Sequence, residues 1–265
     1  MPDSRARPVK TTLTSFRIVK EIKRQNGATL AELSDALDSA KSTIHNHLAT
    51  LADEGLLVQD GRKYDIGLRF LEFGEYARNR RPFYAVGERE AHRLAEETNE
   101  EANFSVVENG FMYPLEYVMG NSDSTDPTFG STFLKVGRSF HMHNSASGKA
   151  VLAEYTDERV AEIVESKDLP ASTENTITDP DELFEELEAI RERGYSTNDE
   201  ELQTGFRSIA SSVSLPDSTV IGGLAVGGPS YRFDLESSSV SSYVSVLQES
   251  VEAVEREIAE LDGSQ

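Results

Sequence analysis

Apolar positions fall into short runs whose spacing changes along the chain, and each change marks a different element. In "TLTSFRIVKEIKRQNG", Leu13, Phe16, Val19 and Ile22 recur every third residue, which draws one apolar stripe on a helix that Gly27 ends. "TLAELSDALD" opens a second helix, with Thr29 and Glu32 at capping-box spacing. In "KSTIHNHLATLADEGLL", with Asp38 or Ser39 as N-cap, a helical wheel puts Ile44, Leu48 and Leu51 on one side and Ser42, Asn46 and Thr50 on the other. "LLVQDGRKYDIG" then alternates as a hairpin around Asp60-Gly61, the pair that type I′ turns prefer, and carries Arg62 and Lys63 at its tip. Three short helices and a basic-tipped hairpin predict a winged helix-turn-helix over residues 9–66.

The next run, "GLRFLEFGEYARNRRP" (67–82), has more apolar surface than an exposed connector needs, so a linker helix that packs on a partner is expected. Arg78, Arg80 and Arg81 end it where a helix C-terminus favours cations. From residue 83 the spacing alternates between helical and strand-like. "YAVGEREAHRLAEETNE" is an amphipathic helix, and "ANFSVVENGFMYPLEYVMG" is two strands about Asn109-Gly110. "GSTFLKVGRSFHMHNSASGKAVLAEY" passes from strand-like through a glycine and serine stretch into a helix, and "TDERVAEIVES" is helical. "TDPDELFEELEAIRERGY" has Thr178 or Asp179 as N-cap, Pro180 inside and Gly194 beyond. "GFRSIASSVSL" and "TVIGGLAVGGP" are strands about Pro216-Asp217, and from Val240 to Leu261 apolar residues recur at helical spacing. Helices and strands mix without a βαβ rhythm, which predicts an α+β domain over 83–262 with a mainly antiparallel sheet and flanking helices.

Charge sharpens this division. The chain has 265 residues and a net charge of -21, yet residues 1–81 hold 14 basic and 11 acidic side chains while 82–265 hold 12 and 36. A slightly cationic head is therefore joined to a strongly anionic body. The depth of that acidity, with 8 Lys against 18 Arg, fits a proteome adapted to high salt. Absent cysteine excludes disulfides and thiolate chemistry. No apolar run is long enough to span a membrane and the N-terminus has no apolar signal region, so a soluble cytoplasmic protein is expected.

The polar side of the third helix is the candidate DNA-binding surface, with Ser42, Thr43, His45, Asn46 and Thr50 against base edges and Lys41, Arg62 and Lys63 on phosphate. Asn46 has the amide geometry to hold an adenine. A head of charge +3 offers few phosphate contacts, so a homodimer on a double-stranded operator is expected. Other chemistries fit less well. "SASGKA" lacks the first glycine and the hydroxyl residue of a phosphate loop, since His143 and Ala150 stand there. The pair His141 and His143 has no third ligand at metal spacing, so no metal and no cofactor are expected. Asp199, Glu200 and Glu201 come without a nucleophile, and no enzyme is expected. The alternative is a small-molecule-binding sensor or enzyme whose winged helix contacts protein.

Four segments, "KSTIHNHLATLADEG", "HMHNSASGKAVLAEY", "TITDPDELFEELEAIRERGYSTNDEELQTGFRSIASSV" and "IGGLAVGGP", stand in the order found in the IclR family of transcriptional regulators, which the chain resembles from about residue 10 to 260. The resemblance implies a winged helix with a GAF-like effector-binding domain, a homodimer or a dimer of dimers, and control of organic-acid, sugar or aromatic metabolism by repression or activation. It also implies an effector pocket at Ala146, Ser147, Gly148, Asn198, Ser208, Ala225 and Gly227. Some relatives have aspartate at 198, cysteine at 208 and serines at 225 and 227, so this chain departs at all four. Many carry arginine at position 46, where Asn46 shifts the expected base from guanine to adenine.

Overall fold

The computed structural model describes residues 7–120 and 135–262, and it divides into two compact units between Arg80 and Arg81. The strand-like start "GSTFL" of the segment before Lys135 lies outside the described residues.

The first unit runs α1 (Lys10–Gln25), β1 (Ala28–Thr29), α2 (Leu30–Ala36), α3 (Lys41–Asp53), β2 (Leu57–Asp60) and β3 (Lys63–Ile66). Its core gathers Ile18, Ile22, Ala28, Leu33, Ile44, Leu48, Leu51 and Leu57. The stripe expected on α1 is corrected: Ile18 and Ile22 are fully buried, whereas Leu13 is 44% and Phe16 56% exposed. A three-residue step drifts by about 60° per repeat on a helix of 3.6 residues per turn, so four such residues cannot share one face, while Ile18 and Ile22, four apart, can.

α2 opens with a complete capping box: Glu32 N–H donates to Thr29 Oγ1 at 3.3 Å and Thr29 N–H to Glu32 Oε2 at 2.7 Å. α3 does not use Asp38 or Ser39. Its N-cap is Ala40, with no side-chain bond, because Asp38 turns through the left-handed region (φ 46°) and Ser39 Oγ donates to Leu37 O at 3.1 Å. The hairpin turn is displaced by one residue, since Asp60 pairs with Lys63 and leaves Gly61 and Arg62 as its centre. Gly61 has φ 58° and Arg62 is outside the left-handed region, the pattern of a type II′ turn. β3 also pairs with β1, too short to be read from alternation, which makes a three-stranded sheet in the order β1-β3-β2.

α4 (Arg69–Asn79) follows and buries none of its residues. Leu68, just before it, is 85% exposed, and Leu71, Phe73 and Tyr76 are 60%, 52% and 77% exposed.

The second unit comprises α5 (Tyr84–Thr98), β4 (Glu101–Glu108), β5 (Phe111–Val118), β6 (Phe140–His141), α6 (Ala146–Ala153), α7 (Asp157–Lys167), α8 (Pro180–Arg193), β7 (Ser196–Asp199), β8 (Phe206–Ser214), β9 (Val220–Pro229) and α9 (Ser239–Asp262). Six strands form one antiparallel sheet, β6-β5-β4-β9-β8-β7. β7 was not anticipated, because "STND" has no apolar alternation. Asp179, not Thr178, caps α8, accepting from the Asp181 and Glu182 N–H groups.

Alternation along the strands gives the sheet two unlike faces. Phe104, Val106, Ile209, Val213, Leu224 and Val226 point to one side, where α5 and α9 bury them with Leu94, Leu247 and Val254. The intervening residues are mostly small or polar, Phe206 and Val107 apart, and α6 lies over them, with Ala146 and Ala150 on Ala210 and Ala225. A second apolar cluster joins α6, α7 and α8 through Leu152, Val160, Ile163, Leu183 and Leu187. Among the described residues no helix is long and apolar enough to cross a membrane.

Replacing Thr29 by alanine removes the hydroxyl half of the α2 cap and leaves the backbone N–H bond to Glu32 in place; it is expected to destabilise the winged helix by roughly 1 kcal/mol. Urea melts of the full chain check this; an unchanged midpoint for the N-terminal transition would show that the cap contributes nothing.

Candidate DNA-reading face and ligand pocket

On α3 the side chains of Lys41, Ser42, Thr43, His45, Asn46 and Thr50 are exposed, as are Ala49 and Asp53, while Ile44 and Leu48 are buried. Thr50 Oγ1 donates to Asn46 O at 2.9 Å, so its hydroxyl proton is already engaged. His47 faces inward and meets Ser15 Oγ at 2.9 Å, fastening α3 to α1. Arg62 and Lys63 are exposed at the wing tip. One surface thus carries a polar helix, and the wing carries two cations.

In the second unit the strand register assembles the proposed pocket. Asn198 pairs with Ser208 and Ser208 with Gly227, while Ala225 of the adjacent row pairs with Asn103 and Ala210. Residues directly opposite in antiparallel strands share a face, so segments remote in sequence meet under α6. The cavity there, about 20 Å³, is lined by Asn103, Phe140, Ser145, Ala146, Ser147, Asn198, Leu202, Phe206, Ser208 and Ala225. A volume of roughly 10–15 Å³ holds one water, so a larger ligand must displace a wall.

Five of the seven expected effector residues, Ala146, Ser147, Asn198, Ser208 and Ala225, line this cavity; Gly148 and Gly227 do not. Gly148 is the third residue of α6, behind the N-cap Ser145, whose Oγ accepts the Gly148 N–H at 3.1 Å. A Cβ on Gly148 would lie 2.2 Å from Met142 O, and one on Gly227 would lie 2.4 Å from Arg207 O, so both glycines serve close packing. Asn103, Phe140, Ser145, Leu202 and Phe206 were missed. The alternation of "ANFSVVE" held a signal for Asn103, which is polar between apolar neighbours; Leu202, a single leucine in an acidic loop, held none.

Asn198 is 1% exposed and has a fixed orientation. Its Nδ2 donates to Asn144 O at 2.7 Å, and since a backbone carbonyl only accepts, Oδ1 must be the other end. That Oδ1 is buried without a partner. Alongside, Lys149 is 1% exposed on the wholly buried helix α6, with Nζ 2.6 Å from Glu201 Oε1 and 3.6 Å from Glu186 Oε1. Burial raises the Glu201 pKa above the usual carboxylate range, and the Lys149 charge opposes that shift. The loop bearing Leu202 is tied down further, since Thr173 Oγ1 donates to Glu200 O and Thr176 Oγ1 to Glu201 O.

His141 and His143 stack edge to face at 5.4 Å between ring centroids. His143 bonds Pro170 O at 3.2 Å, and burial holds its pKa down at about 4. Among the described residues no group of three or more His, Cys, Asp or Glu is arranged to hold a metal.

A winged helix with an outward polar helix face, on an α+β body enclosing a small pocket, is the build of a ligand-responsive transcriptional regulator. Residues 15–61 match the IclR helix-turn-helix domain and residues 79–256 the bacterial transcriptional regulator IclR C-terminal domain. A probable HTH-type transcriptional regulator, ArcR of Halobacterium salinarum, is 32% identical over 227 residues, 85% of each chain. The HTH-type transcriptional regulator KdgR of Escherichia coli is 27% identical over 93% of this chain and 90% of its own. An IclR homologue from Microbacterium hydrocarbonoxydans, solved with 4-hydroxybenzoate, shares the fold with a TM-score of 0.76 at 21% identity, over 94% of this chain and 98% of that one. The chain belongs to the IclR family of transcriptional regulators, and it is a regulator rather than an enzyme.

Lys149→Met leaves Glu201 buried without its counter-charge and is expected to cost roughly 3–5 kcal/mol in urea unfolding. Adding Glu201→Leu should restore most of that; a double variant no better than the single one would argue against the pairing. His143 has a folded pKa of about 4 against 6.5 unfolded, so the unfolded chain binds the extra proton. Stability from this group is complete above about pH 6.5 and falls by roughly 3 kcal/mol as pH drops to about 4. His143→Gln should flatten that part of the pH profile relative to the parent.

Proposed function

We propose that this regulator reads a double-stranded operator as a homodimer, with α3 in the major groove and the wing on backbone phosphate. The observation that carries this reading is the exposure of the whole polar side of α3, directly opposite the residues that anchor it. Ser42, Thr43, His45, Asn46 and Thr50 face bases; Lys41, Arg62 and Lys63 face phosphates. The exposed Leu68, Leu71, Phe73 and Tyr76 of the linker, with Leu13 and Phe16 of α1, give a second copy an apolar surface to cover. Pairing of the acidic bodies would extend the dimer to a tetramer.

The inner pocket under α6 is the effector site in this reading. Its lining of serine and asparagine, with the positive end of α6 close by, suits a small organic acid or sugar derivative. A relative that takes 4-hydroxybenzoate supports an aromatic acid as the further choice. Entry requires Leu202 or Phe140 to move, and Lys149-Glu201 passes that movement to α6. Ligand and DNA affinities would then be coupled reciprocally, through the spacing or mobility of the two heads. Regulation of carbon-source use in the cytoplasm of a salt-adapted cell follows from the same reading.

The test is binding of the purified chain to DNA from upstream of its own gene, across a salt series. Asn46→Ala is expected to cost roughly 1–3 kcal/mol per half-site and to relax selectivity. Arg62→Ala removes two phosphate contacts per dimer and should lower the slope of log affinity against log salt by about 2. Absence of sequence-selective binding at any salt would overturn the reading.

A further inference from the structure

Outside the inner pocket, and sharing Phe140 and Leu202 with it as walls, lies an open cleft of about 250 Å³ lined also by Arg138, Ser139, His141, Asn144 and Ser172. Asn144 is 2% exposed. Its Nδ2 donates to Ser172 Oγ at 2.9 Å and its Oδ1 is buried with no partner. A hydroxyl can donate or accept, so turning the amide over merely exchanges which end is left unmatched. A buried amide end without a partner costs stability in the empty protein, roughly 1–3 kcal/mol, and calls for a hydrogen-bonding group from outside.

The rest of the lining defines that group's neighbours. Arg138 is exposed and makes no side-chain hydrogen bond or ion pair with any described residue. Among the described residues of the lining it is the single formal charge, because desolvation and the nearby Lys167 charge lower the His141 pKa and keep that imidazole neutral at pH 7. Ser139 and Ser172 add two hydroxyls. Phe140 and Leu202 give one apolar wall, against which C–H groups can lie. One cation, several neutral donors and acceptors and an apolar wall match a small hydroxylated monoanion. A dianion would leave one charge unmatched, and a plain hydrocarbon acid would leave Asn144 unmatched.

We propose that this outer cleft is a second small-molecule site, separate from the inner pocket, that takes a hydroxylated monocarboxylate with its carboxylate on Arg138 and a hydroxyl on Asn144. The site stands independently of the effector reading of the inner pocket. Asn144 nonetheless joins the two, since it lines the cleft while its backbone carbonyl holds Asn198 in place.

Calorimetric titration of the full chain with D-glycerate, D-gluconate and L-lactate, and with the uncharged D-sorbitol, tests the proposal. At least one of the three acids should bind at one equivalent per chain and well ahead of sorbitol. Arg138→Gln, a surface change that leaves the core alone, should weaken that acid by about tenfold, the size of one charge-assisted hydrogen bond. Ser208→Val, which fills the inner pocket, should leave its affinity unchanged. The proposal is overturned if none of the three acids binds, or if sorbitol binds equally well. It is also overturned if Ser208→Val abolishes binding that Arg138→Gln preserves; that result would place the acid in the inner pocket and leave the effector reading intact.

Discussion

The body of this protein depends on seating α6 directly against a sheet face that has almost no side chains to hold it off. Ala146 and Ala150 rest on Ala210 and Ala225, and Gly148 brings the helix against Met142 O, where no Cβ fits. All eight residues of α6 are buried in consequence, the lysine included. An ammonium group in that position must be matched, and Glu201 is drawn in to match it. The loop that carries Glu201 thereby brings Leu202 over the edge of the sheet. Pocket, wall and ion pair thus follow from one close contact.

The same contact accounts for the polarity of the site. A sheet covered by helices on both sides ordinarily reads as continuous apolar strands, yet here one face is largely Phe, Val, Ile and Leu and the other largely Asn, Ser, Ala and Gly, with Phe206 and Val107 as its larger apolar members. Large apolar side chains on the second face would push α6 away. Small ones leave gaps, and where the gaps are lined by asparagine and serine a hydrogen-bonding ligand can replace water. Acidity elsewhere does not contradict this, because the carboxylates lie mainly on the outer faces of the helices, and at high salt their field is screened within a few ångströms.

Much of the outline was legible beforehand because it rests on local rules. The capping box at Thr29 and Glu32, the αL turn at Asn109-Gly110 and the Pro180-Gly194 bracket each involve residues a few positions apart. Errors arose where geometry depended on something distant or on finer periodicity. The stripe through Leu13 and Phe16 followed a three-residue step that a helix does not keep; β1 and β7 were too short to alternate and exist because a longer strand lies beside them. Gly148 and Gly227, which the family resemblance places at the effector pocket, also permit a close backbone approach, a role visible only from the atoms around them.

The sequence by itself determined the helices, the long strands, the division into a cationic head and an anionic body, and the outward polar side of α3, since all of these are set by short-range periodicity, capping and charge count. Only the tertiary structure decided that Asn198, Ser208, Ala225 and Asn103 meet beneath one helix, that Lys149 is buried with Glu201, and that Leu202 and Phe140 divide an inner pocket from an outer cleft. Those relations connect residues up to about 120 positions apart, and no local pattern encodes the cross-strand register and close packing that create them.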